Sequence, residues 1–479
     1  MSPRLDHDTP LGSGQFLHLG RGRNAARPSL AQRFGGSAAL ALGVVALVWQ
    51  CAGGAAVCAA EVRKLPGKHI TLYTDLPTSP AVDALPEMFD QAFGQWCAYF
   101  GVDPARQAGW HVTGCVMRDQ GAFRAAGLLP DGLPPFRHGY SVGKRLWVNE
   151  QGSDYYRAHL LLHEGTHAFM NTILGRGAPP WYVEGMSEML GTHRWHEGRL
   201  TLGYLPASRD EVPLWGRVKI VRDDFAAQRA KSLRGVFQYG PQAHQDIEPY
   251  GWCWAAAIFL DRHPRYQARF RQLAKWTSAP DLTNRFVGLI GGDWDQLAEE
   301  WQVFVADLEY GYDFQRTAID FTPGRNLPRE GAKVTVAADR AWQNSGIRLQ
   351  AGTTYQLRAS GRYQVKKGVR TIFSEESPLR ASPTSRENSS DPFSVWWCEP
   401  NGVSIRYYRG QPLGLLLAAV RPDRPEPDTP SALLRPIPIG LGAELTPKQT
   451  GTLFLRINDS AGELSDNAGT LVVEVGARG

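Results

Sequence analysis

The chain has 479 residues, with 52 Lys and Arg against 47 Asp and Glu and a formal net charge of +5. This length exceeds one ordinary hydrophobic core and predicts two domains, each able to bury a core of its own. The basic residues are scattered rather than grouped along one stripe, so the composition gives no support for a nucleic-acid ligand.

Residues 1–60 have the pattern of an export signal with a long basic lead. An apolar run rich in small residues starts at Ala38 and closes in a small-x-small pattern that suits cleavage after Ala59 or Ala60. The mature chain would then begin near Glu61 and be periplasmic, cell-surface or secreted. Uncleaved, the run is just long enough to span a bilayer, so a membrane anchor is the alternative.

Four cysteines follow the predicted signal: Cys97, Cys115, Cys253 and Cys398. An oxidising compartment permits disulfides, and we favour the pair Cys97–Cys115. Four cysteines allow three connectivities, however, and the sequence does not choose between them.

The segment 61–321 is predicted to be an α+β domain with a small sheet followed by helices. Apolar residues recur at helical spacing over residues 85–101, 154–174, 184–197, 249–264 and 293–311. Short extended candidates precede most of these stretches, at residues 69–76, 110–117 and 145–150.

The pattern of apolar residues changes after a linker predicted at residues 322–331. Residues 332–479 consist of short alternating runs with Gly and Pro between them, which is typical of an all-β sandwich. The polar, Ser- and Pro-rich stretch 376–394 predicts a mobile loop within it.

The segment LLLHEGTHAFM, residues 160–170, carries His163, Glu164 and His167 in the HExxH arrangement. On an α-helix four residues advance roughly 400°, so both histidines project from one face and can reach one metal ion. Glu164 lies beside them, placed to take a proton from a water whose pKa the ion lowers. The pattern predicts a catalytic zinc site; the alternative is a helix with three capped or exposed polar residues.

A third ligand is expected from the next helix, because a catalytic zinc takes three protein ligands and keeps one position open. The segment PPWYVEGMSEML places Glu184 at the start of an amphipathic helix after a Pro-Pro turn. Glu188 lies one turn later on the same face, where its carboxylate can accept the second ring N–H of a ligating histidine. The predicted zinc ligands are His163, His167 and Glu184. Glu164 is the predicted general base, and two imidazoles with one carboxylate suit zinc.

HExxH followed at a short interval by W-x-x-E-G-x-x-E is similar to the gluzincin metallopeptidases, the thermolysin-like clan, and especially to bacterial peptidase MA-like proteins. The resemblance covers roughly residues 69–310 and is strongest at these motifs. It implies a zincin-like α+β catalytic domain and zinc-dependent hydrolysis of peptide bonds.

The same resemblance implies a Tyr or His, from a later helix, that donates to the oxyanion of the tetrahedral intermediate. Tyr250, at the start of the predicted helix 249–264, is our candidate. The alternative is that Tyr250 only packs, with its hydroxyl at the surface. His159 lies one turn before His163 but has no acidic neighbour in sequence, so we predict a core or surface residue.

Oxygen-bearing side chains are grouped on a Gly-containing turn near the end of the chain. They are Asp459, Glu463, Asp466 and Asn467. Calcium takes about six to eight oxygen ligands from carboxylates, amides and carbonyls, so the turn predicts a calcium site. The alternative is an acidic hairpin turn, because Asn, Asp, Ser and Gly favour turns for local reasons.

The strand pattern of residues 333–476 resembles the small calcium-dependent galactose-binding bacterial lectins of the PA-I type. The resemblance implies side-chain ligation by Asp459, Asp466 and Asn467, backbone ligation by Glu463, and a further ligand at Tyr363. All twelve histidines lie before residue 264, whereas these lectins contact galactose with a histidine. The resemblance to these lectins therefore does not imply that this chain is specific for galactose.

The sequence thus predicts an exported zinc metallopeptidase joined to a calcium-dependent, carbohydrate-binding sandwich. Its expected partners are a peptide or protein substrate and a glycan, with no nucleic acid, and a membrane only if the N-terminal segment is uncleaved. The alternative, from a different class, is a catalytically inactive cell-surface or adhesion protein that binds glycans through the sandwich. Zinc-dependent hydrolysis separates the two.

Overall fold

The computed structural model describes residues 61–366, 395–425 and 429–478. The predicted signal or anchor, residues 1–60, and the predicted loop, residues 376–394, lie outside the described residues. Among the described helices, none combines the length and apolarity that a bilayer crossing requires.

A five-stranded mixed sheet opens the described chain. Its strands are β1 (Arg63–Pro66), β2 (Ile70–Thr74), β3 (Val112–Met117), β4 (Gly139–Val142) and β5 (Arg145–Asn149). The order is β1-β2-β3-β5-β4, with β2, β3 and β5 parallel and the outer strands antiparallel to their neighbours. The three predicted strands are confirmed as β2, β3 and β5, and β4 forms one edge of the sheet.

Helices lie between these strands in sequence, and more helices come after the last of them. They are α1 (Pro80–Asp83), α2 (Leu85–Phe100), α3 (Gln120–Ala125), α4 (Asp154–Phe169), α5 (Pro180–Gly191), α6 (Arg217–Ala226), α7 (Leu233–Phe237), α8 (Ile247–Arg262), α9 (Gln267–Arg271), α10 (Leu282–Ile290), α11 (Trp294–Asp307) and α12 (Phe314–Thr317). One large core joins one face of the sheet to α2, α4, α5, α8 and α11 through residues such as Leu72, Trp96 and Trp254. The amphipathic stretches predicted from apolar spacing therefore bury the faces that the spacing indicates.

Three predicted helices end several residues earlier than expected, and one of them, predicted over 293–311, ends at Asp307. The α-helical part of 154–174 ends at Phe169 and continues as a π-helical turn, Met170–Leu174. The helix predicted over 184–197, with Glu184 at its start, begins earlier, at Pro180, and ends at Gly191. The chain then forms a hairpin of β6 (His193–His196) and β7 (Arg199–Leu202). Glu197 and Gly198 both have positive φ, 50° and 73°, which is the backbone of a two-residue hairpin turn.

The C-terminal part is built from strands. These are β8 (Arg325–Asn326), β9 (Ala332–Ala337), β10 (Gln343–Leu349), β11 (Tyr355–Ser360), β12 (Tyr363–Lys366), β13 (Val395–Cys398), β14 (Asn401–Tyr408), β15 (Gln411–Pro422), β16 (Ile437–Pro438), β17 (Gly442–Leu445), β18 (Gly451–Ile457) and β19 (Thr470–Ala477). Two sheets, β14-β15-β18-β10-β8 and β17-β11-β19-β9, share one apolar core that includes Leu357, Leu455 and Val473. This arrangement is consistent with the predicted sandwich, and we call the described residues from 332 onward the sandwich region.

The four cysteines of the described chain, Cys97, Cys115, Cys253 and Cys398, are buried free thiols. The favoured disulfide between Cys97 and Cys115 is therefore absent. Cys97 packs on α2 in the large core, whereas Cys115 on β3 belongs to a separate cluster with Phe123 and Trp147. Because the two side chains lie in different apolar clusters, the pairing suggested by their short separation in sequence does not form.

Candidate metal centre

Helix α4 carries the HExxH residues, and polar contacts fix its first turn. Ser153 is the N-cap, and its side chain accepts a hydrogen bond from the Tyr156 amide. Arg157 donates from Nε to Glu150 Oε2 at 2.6 Å and from Nη1 to Asp154 Oδ1 at 2.6 Å. Since Glu150 directly follows β5, these bonds tie the start of α4 to the sheet.

Gly165, within the HEGTH motif, lets α4 pack closely on α2. A Cβ at this position would lie 2.5 Å from Phe89 and 2.7 Å from Trp96. Gly165 is two residues from His163 and therefore points to the opposite side of the helix. The close approach of one face to the core thus directs the two histidines toward α5.

Helix α5 brings Glu184 to the same place through another close approach. A Cβ at Gly185 would lie 2.7 Å from the Cys253 carbonyl oxygen and 3.1 Å from the Ala257 Cβ. The glycine after Glu184 therefore allows α5 to pack against α8. This packing fixes the position of α5 relative to α4.

Three ligand atoms converge between α4 and α5. His163 Nε2 and His167 Nε2 are 3.1 Å apart, and Glu184 Oε2 lies 3.6 Å from the first and 3.3 Å from the second. Nitrogen ligands at about 2.0–2.1 Å from a tetrahedral zinc are about 3.3–3.4 Å apart, so one ion fits this triangle. His163 is buried while His167 and Glu184 are partly exposed, which leaves one side of the triangle open.

The charges of this triangle favour a cation. Burial opposes protonation of His167, but the neighbouring Glu184 carboxylate outweighs it and raises the pKa of His167 to about 9. Burial likewise opposes ionisation of Glu184, yet His167 holds the pKa of Glu184 below its usual value. Positive charge is therefore stabilised at the point where the ligand atoms meet. In the described part of the chain a second group of three possible metal ligands consists of His159, His163 and Glu188, so His163 belongs to both groups.

Glu188 lies behind His163, where the predicted orienting role requires it. Its Oε1 is 3.4 Å from His163 Nδ1, and the carboxylate is 1% exposed. Because Nε2 of His163 faces the ligand triangle, the proton of the neutral ring belongs on Nδ1, toward Glu188.

Arg217 is the site residue that sequence reasoning missed. Its Nε and Nη2 donate to Glu188 Oε2 and Oε1 at 2.8 and 2.7 Å, and its Nη1 donates to the Trp215 carbonyl at 2.7 Å. Such a two-pronged ion pair fixes the plane of the carboxylate as well as its position. Arg217 begins α6, a helix that no motif marked, and lies 29 residues after Glu188.

His159 completes the surroundings of Glu188. Its Nε2 lies 3.3 Å from Glu188 Oε2, its ring stacks on Tyr156 at 5.6 Å, and its side chain is 0% exposed. Burial lowers the pKa of His159, although the Glu188 carboxylate opposes this shift. His159 is thus a core residue, and its acidic neighbour comes from another helix.

Glu164 lies against the edge strand β4. A Cβ at Gly139 would be 2.5 Å from Glu164 Oε1 and 2.9 Å from its Cγ, so only a glycine leaves room for this carboxylate. The negative charge of Glu164 is close enough to contribute to the raised pKa values of His167 and Tyr250. The structure therefore brings the predicted base, a ligand histidine and the predicted oxyanion donor together.

Tyr250, on α8, lies beside His163. Its ring centroid lies 5.9 Å from that of His163, and the Arg217 guanidinium lies 5.7 Å from the Tyr250 ring centroid. Burial, followed by the carboxylates of Glu184, Glu188 and Glu164, raises the pKa of Tyr250 well above its usual value. The phenol therefore stays protonated and can act as a hydrogen-bond donor.

In the sandwich region, Asp459 and Asn467 lie in contact. Asn467 Nδ2 donates to Asp459 Oδ2 at 2.8 Å and to the Ala338 carbonyl at 3.2 Å. Asn467 Oδ1 is buried and has no hydrogen-bond partner among the described residues. Burial raises the pKa of Asp459 to about 6.

The other predicted calcium ligands lie nearer the surface. Glu463 accepts a bond from Arg406 Nη2 at 3.3 Å, and Asp466 is partly exposed. The Tyr363 hydroxyl is buried and donates to the Glu399 carbonyl at 3.1 Å.

Comparison with known proteins gives weak structural similarities, two of which are to a lectin and to a metallopeptidase. No family model matches the chain, and no curated protein gives a significant match. A PllA-like lectin, the EclA N-terminal domain, is 22% identical, with 30% of this chain and 95% of that chain covered and a TM-score of 0.19. The IMPa metallopeptidase in complex with T-antigen is 13% identical, with 78% of this chain covered and a TM-score of 0.15.

This chain spans 38% of the metallopeptidase's length. The solved structures to which it is similar thus include one lectin and one metallopeptidase. At these scores neither similarity supports a conclusion about individual residues or about activity.

Proposed function

We propose that this chain is an exported zinc-dependent peptidase of the gluzincin type whose sandwich region binds carbohydrate. The observation that carries the proposal is the convergence of His163 Nε2, His167 Nε2 and Glu184 Oε2 on one point. Two imidazoles and one carboxylate in this geometry, with one side open, are the ligand set of a catalytic zinc. The Glu188–Arg217 pair behind His163 supports it, because ligating histidines are held by such partners.

Each surrounding group has a role in peptide hydrolysis. Zinc, when bound, would polarise the scissile carbonyl and lower the pKa of water. Glu164 takes the proton from the attacking water and passes it to the departing amine nitrogen. Tyr250 donates its phenol hydrogen to the carbonyl oxygen as negative charge develops there. Glu188 keeps the Nδ1 proton of His163 in place, so that Nε2 retains its lone pair for the metal.

The burial of so many ionisable groups favours an active site over an unused scaffold. Glu188, Arg217 and His159 are 1%, 6% and 0% exposed. A buried ion pair is often no more stable than apolar residues of the same volume, so a scaffold would gain little from this one. The ion pair between Glu188 and Arg217 is explained if it orients His163 as a metal ligand.

The test of the metal site is elemental analysis of the purified chain from Glu61 onward. We expect about one equivalent of zinc in the wild type and its loss in His163→Ala, because two of three ligands bind zinc far more weakly. His196→Ala, which removes an exposed histidine, is the control and should keep its zinc. Zinc in none of the three proteins would contradict the proposal and favour the inactive glycan-binding alternative.

The carbohydrate-binding part of the proposal includes a calcium ion held by Asp459, Asp466 and Asn467 side chains and by the Glu463 backbone. The unbonded, buried Asn467 Oδ1 supports it. We expect the chain to bind one or more glycans of an array in calcium, and to lose that binding with chelator and in Asn467→Ala.

The control is Asn326→Ala. Asn326 on β8 pairs with Arg348 of β10, which in turn pairs with Thr452 near the end of β18 that is far from Asp459. Glycan binding that survives the chelator would exclude the calcium role. If no glycan is bound under any condition, the carbohydrate part of the proposal is wrong, while the peptidase part is unaffected.

A further inference from the structure

The turn between β18 and β19 faces the helical part of the chain rather than solvent. We call residues 459–463 the docking loop. Ala461 is 1% exposed and belongs to the large core formed by α2, α4, α5 and α8, not to the core of the sandwich region. One side of the turn predicted to hold calcium is therefore buried against the metal-site half of the molecule.

Direct contacts join the docking loop to the segment 307–313, which follows α11. The Asp313 amide donates to the Ala461 carbonyl at 3.0 Å, and the Ser460 hydroxyl donates to Glu309 Oε2 at 2.7 Å. A Cβ at Gly462 would lie 2.3 Å from the Tyr310 carbonyl oxygen. The two backbones thus meet at a distance that only glycine permits.

Buried charges reinforce this contact. Asp307 is 3% exposed and pairs with two arginines of the sandwich region, Arg456 at 2.9 Å and Arg409 at 2.5 Å. Arg456 also donates to the Asp459 carbonyl at 3.0 Å, and the Tyr408 hydroxyl donates to Glu309 Oε1 at 2.8 Å. The ion pairs of Asp307 and the hydrogen bond of Glu309 therefore add side-chain contacts to the backbone contact between the two surfaces.

A continuous set of backbone bonds connects this interface to the metal-ligand helix. The Gly311 amide donates to the Pro206 carbonyl at 2.9 Å, and the Tyr204 amide donates to the Thr192 carbonyl at 3.1 Å. Thr192 is the C-cap of α5, the helix that carries Glu184 and Glu188. The segment 307–313, which contacts the docking loop, is therefore also hydrogen-bonded to the residues that follow α5.

We infer that the docking loop is an interaction surface whose partner is the segment 307–313 of this same chain, and that this contact braces the metal-ligand helix α5. The sandwich region is then a structural part of the metal-site half rather than a module tethered by a linker. The docking itself is independent of catalysis, whereas the bracing of α5 rests on the proposed metal site. Residues 460–462 are occupied by this contact and are not available to a glycan.

The experiment compares Gly462→Ala with Gly476→Ala in the full chain. The first adds a methyl group against the Tyr310 carbonyl, whereas a Cβ at Gly476 meets nothing within 4 Å. We expect one calorimetric transition in the wild type and in Gly476→Ala. In Gly462→Ala the transition should split in two or fall by roughly 1–4 °C, as about 1–3 kcal/mol of overpacking does in a unit of this size. Zinc affinity, measured by competition with a chelator, should fall roughly three- to tenfold.

Equal behaviour of the two glycine variants would overturn the docking inference. A split transition with unchanged zinc affinity would overturn the bracing of α5 and leave the docking supported. Should the wild type bind no zinc, the proposed function fails, and calorimetry still decides the docking. If Gly462→Ala does not fold, Ser460→Ala replaces it. A smaller shift is expected, because this change removes the hydrogen bonds of the Ser460 hydroxyl to Glu309 and to the Gly462 amide but adds no clash between the two backbones.

Discussion

Glu164→Gln is expected to retain bound zinc and to lose about 100- to 10,000-fold in kcat/KM toward a peptide substrate. The amide has nearly the shape of the carboxylate, so it fits the space beside Gly139 that the missing Cβ leaves. It cannot accept the proton of the attacking water, however. The measurement pairs zinc content with hydrolysis of a mixed peptide library followed by mass spectrometry.

The matched control is Glu87→Gln, which makes the same chemical change at an exposed position on α2. It should behave as the wild type in both measurements. Full turnover by Glu164→Gln would show that another group takes the proton. Loss of zinc in this variant would instead show that Glu164 acts on the ligand set rather than on the water.

Arg217→Met is expected to lower the free energy of unfolding by about 3–5 kcal/mol and to weaken zinc binding. The change leaves the Glu188 carboxylate, 1% exposed, without its cation. The carboxylate must then take up a proton or rotate toward water, and either change removes the acceptor from His163 Nδ1. Loss of such a partner typically weakens metal binding about 10- to 100-fold. Denaturant unfolding and chelator competition measure the two effects.

A second variant separates stability from ligand orientation. In the double variant Arg217→Met, Glu188→Met, the buried charge is gone, so much of the lost stability should return. Zinc affinity should stay low, because no carboxylate faces His163. Arg222→Met, an exposed change on the same helix α6, is the control. Wild-type zinc affinity in Arg217→Met would contradict the orienting role.

The residues of the candidate metal site were predictable because their placement depends on local geometry. Helical spacing places His163 and His167 on one face whatever the rest of the fold does. The apolar period of α5 and its Pro-Pro start located Glu184 in the same way. The predicted end of α5 was wrong by several residues, because apolar spacing does not mark the hairpin turn at Glu197 and Gly198.

In the C-terminal half, alternation revealed strands with one buried face and missed others. β9 and β19 fall in alternating runs and have one buried face, and β18 also falls in such a run although all of its residues are buried. β15 was not anticipated, because Leu413–Ala419 is continuously buried and reads as an unbroken apolar run. Periodicity therefore depended on the residues of each strand and not on its place in the sheet, since β18 and β19 are interior strands.

The sequence by itself determined the ligand chemistry: two histidines one helical turn apart, a base beside them, and a carboxylate on the following helix. Only the tertiary structure decided what surrounds these groups. It placed Arg217 on Glu188, Gly139 on Glu164, and the docking loop on the segment 307–313. The physical reason is that backbone geometry fixes spacing within a helix, whereas contacts between distant segments depend on how whole elements pack, which no local pattern encodes.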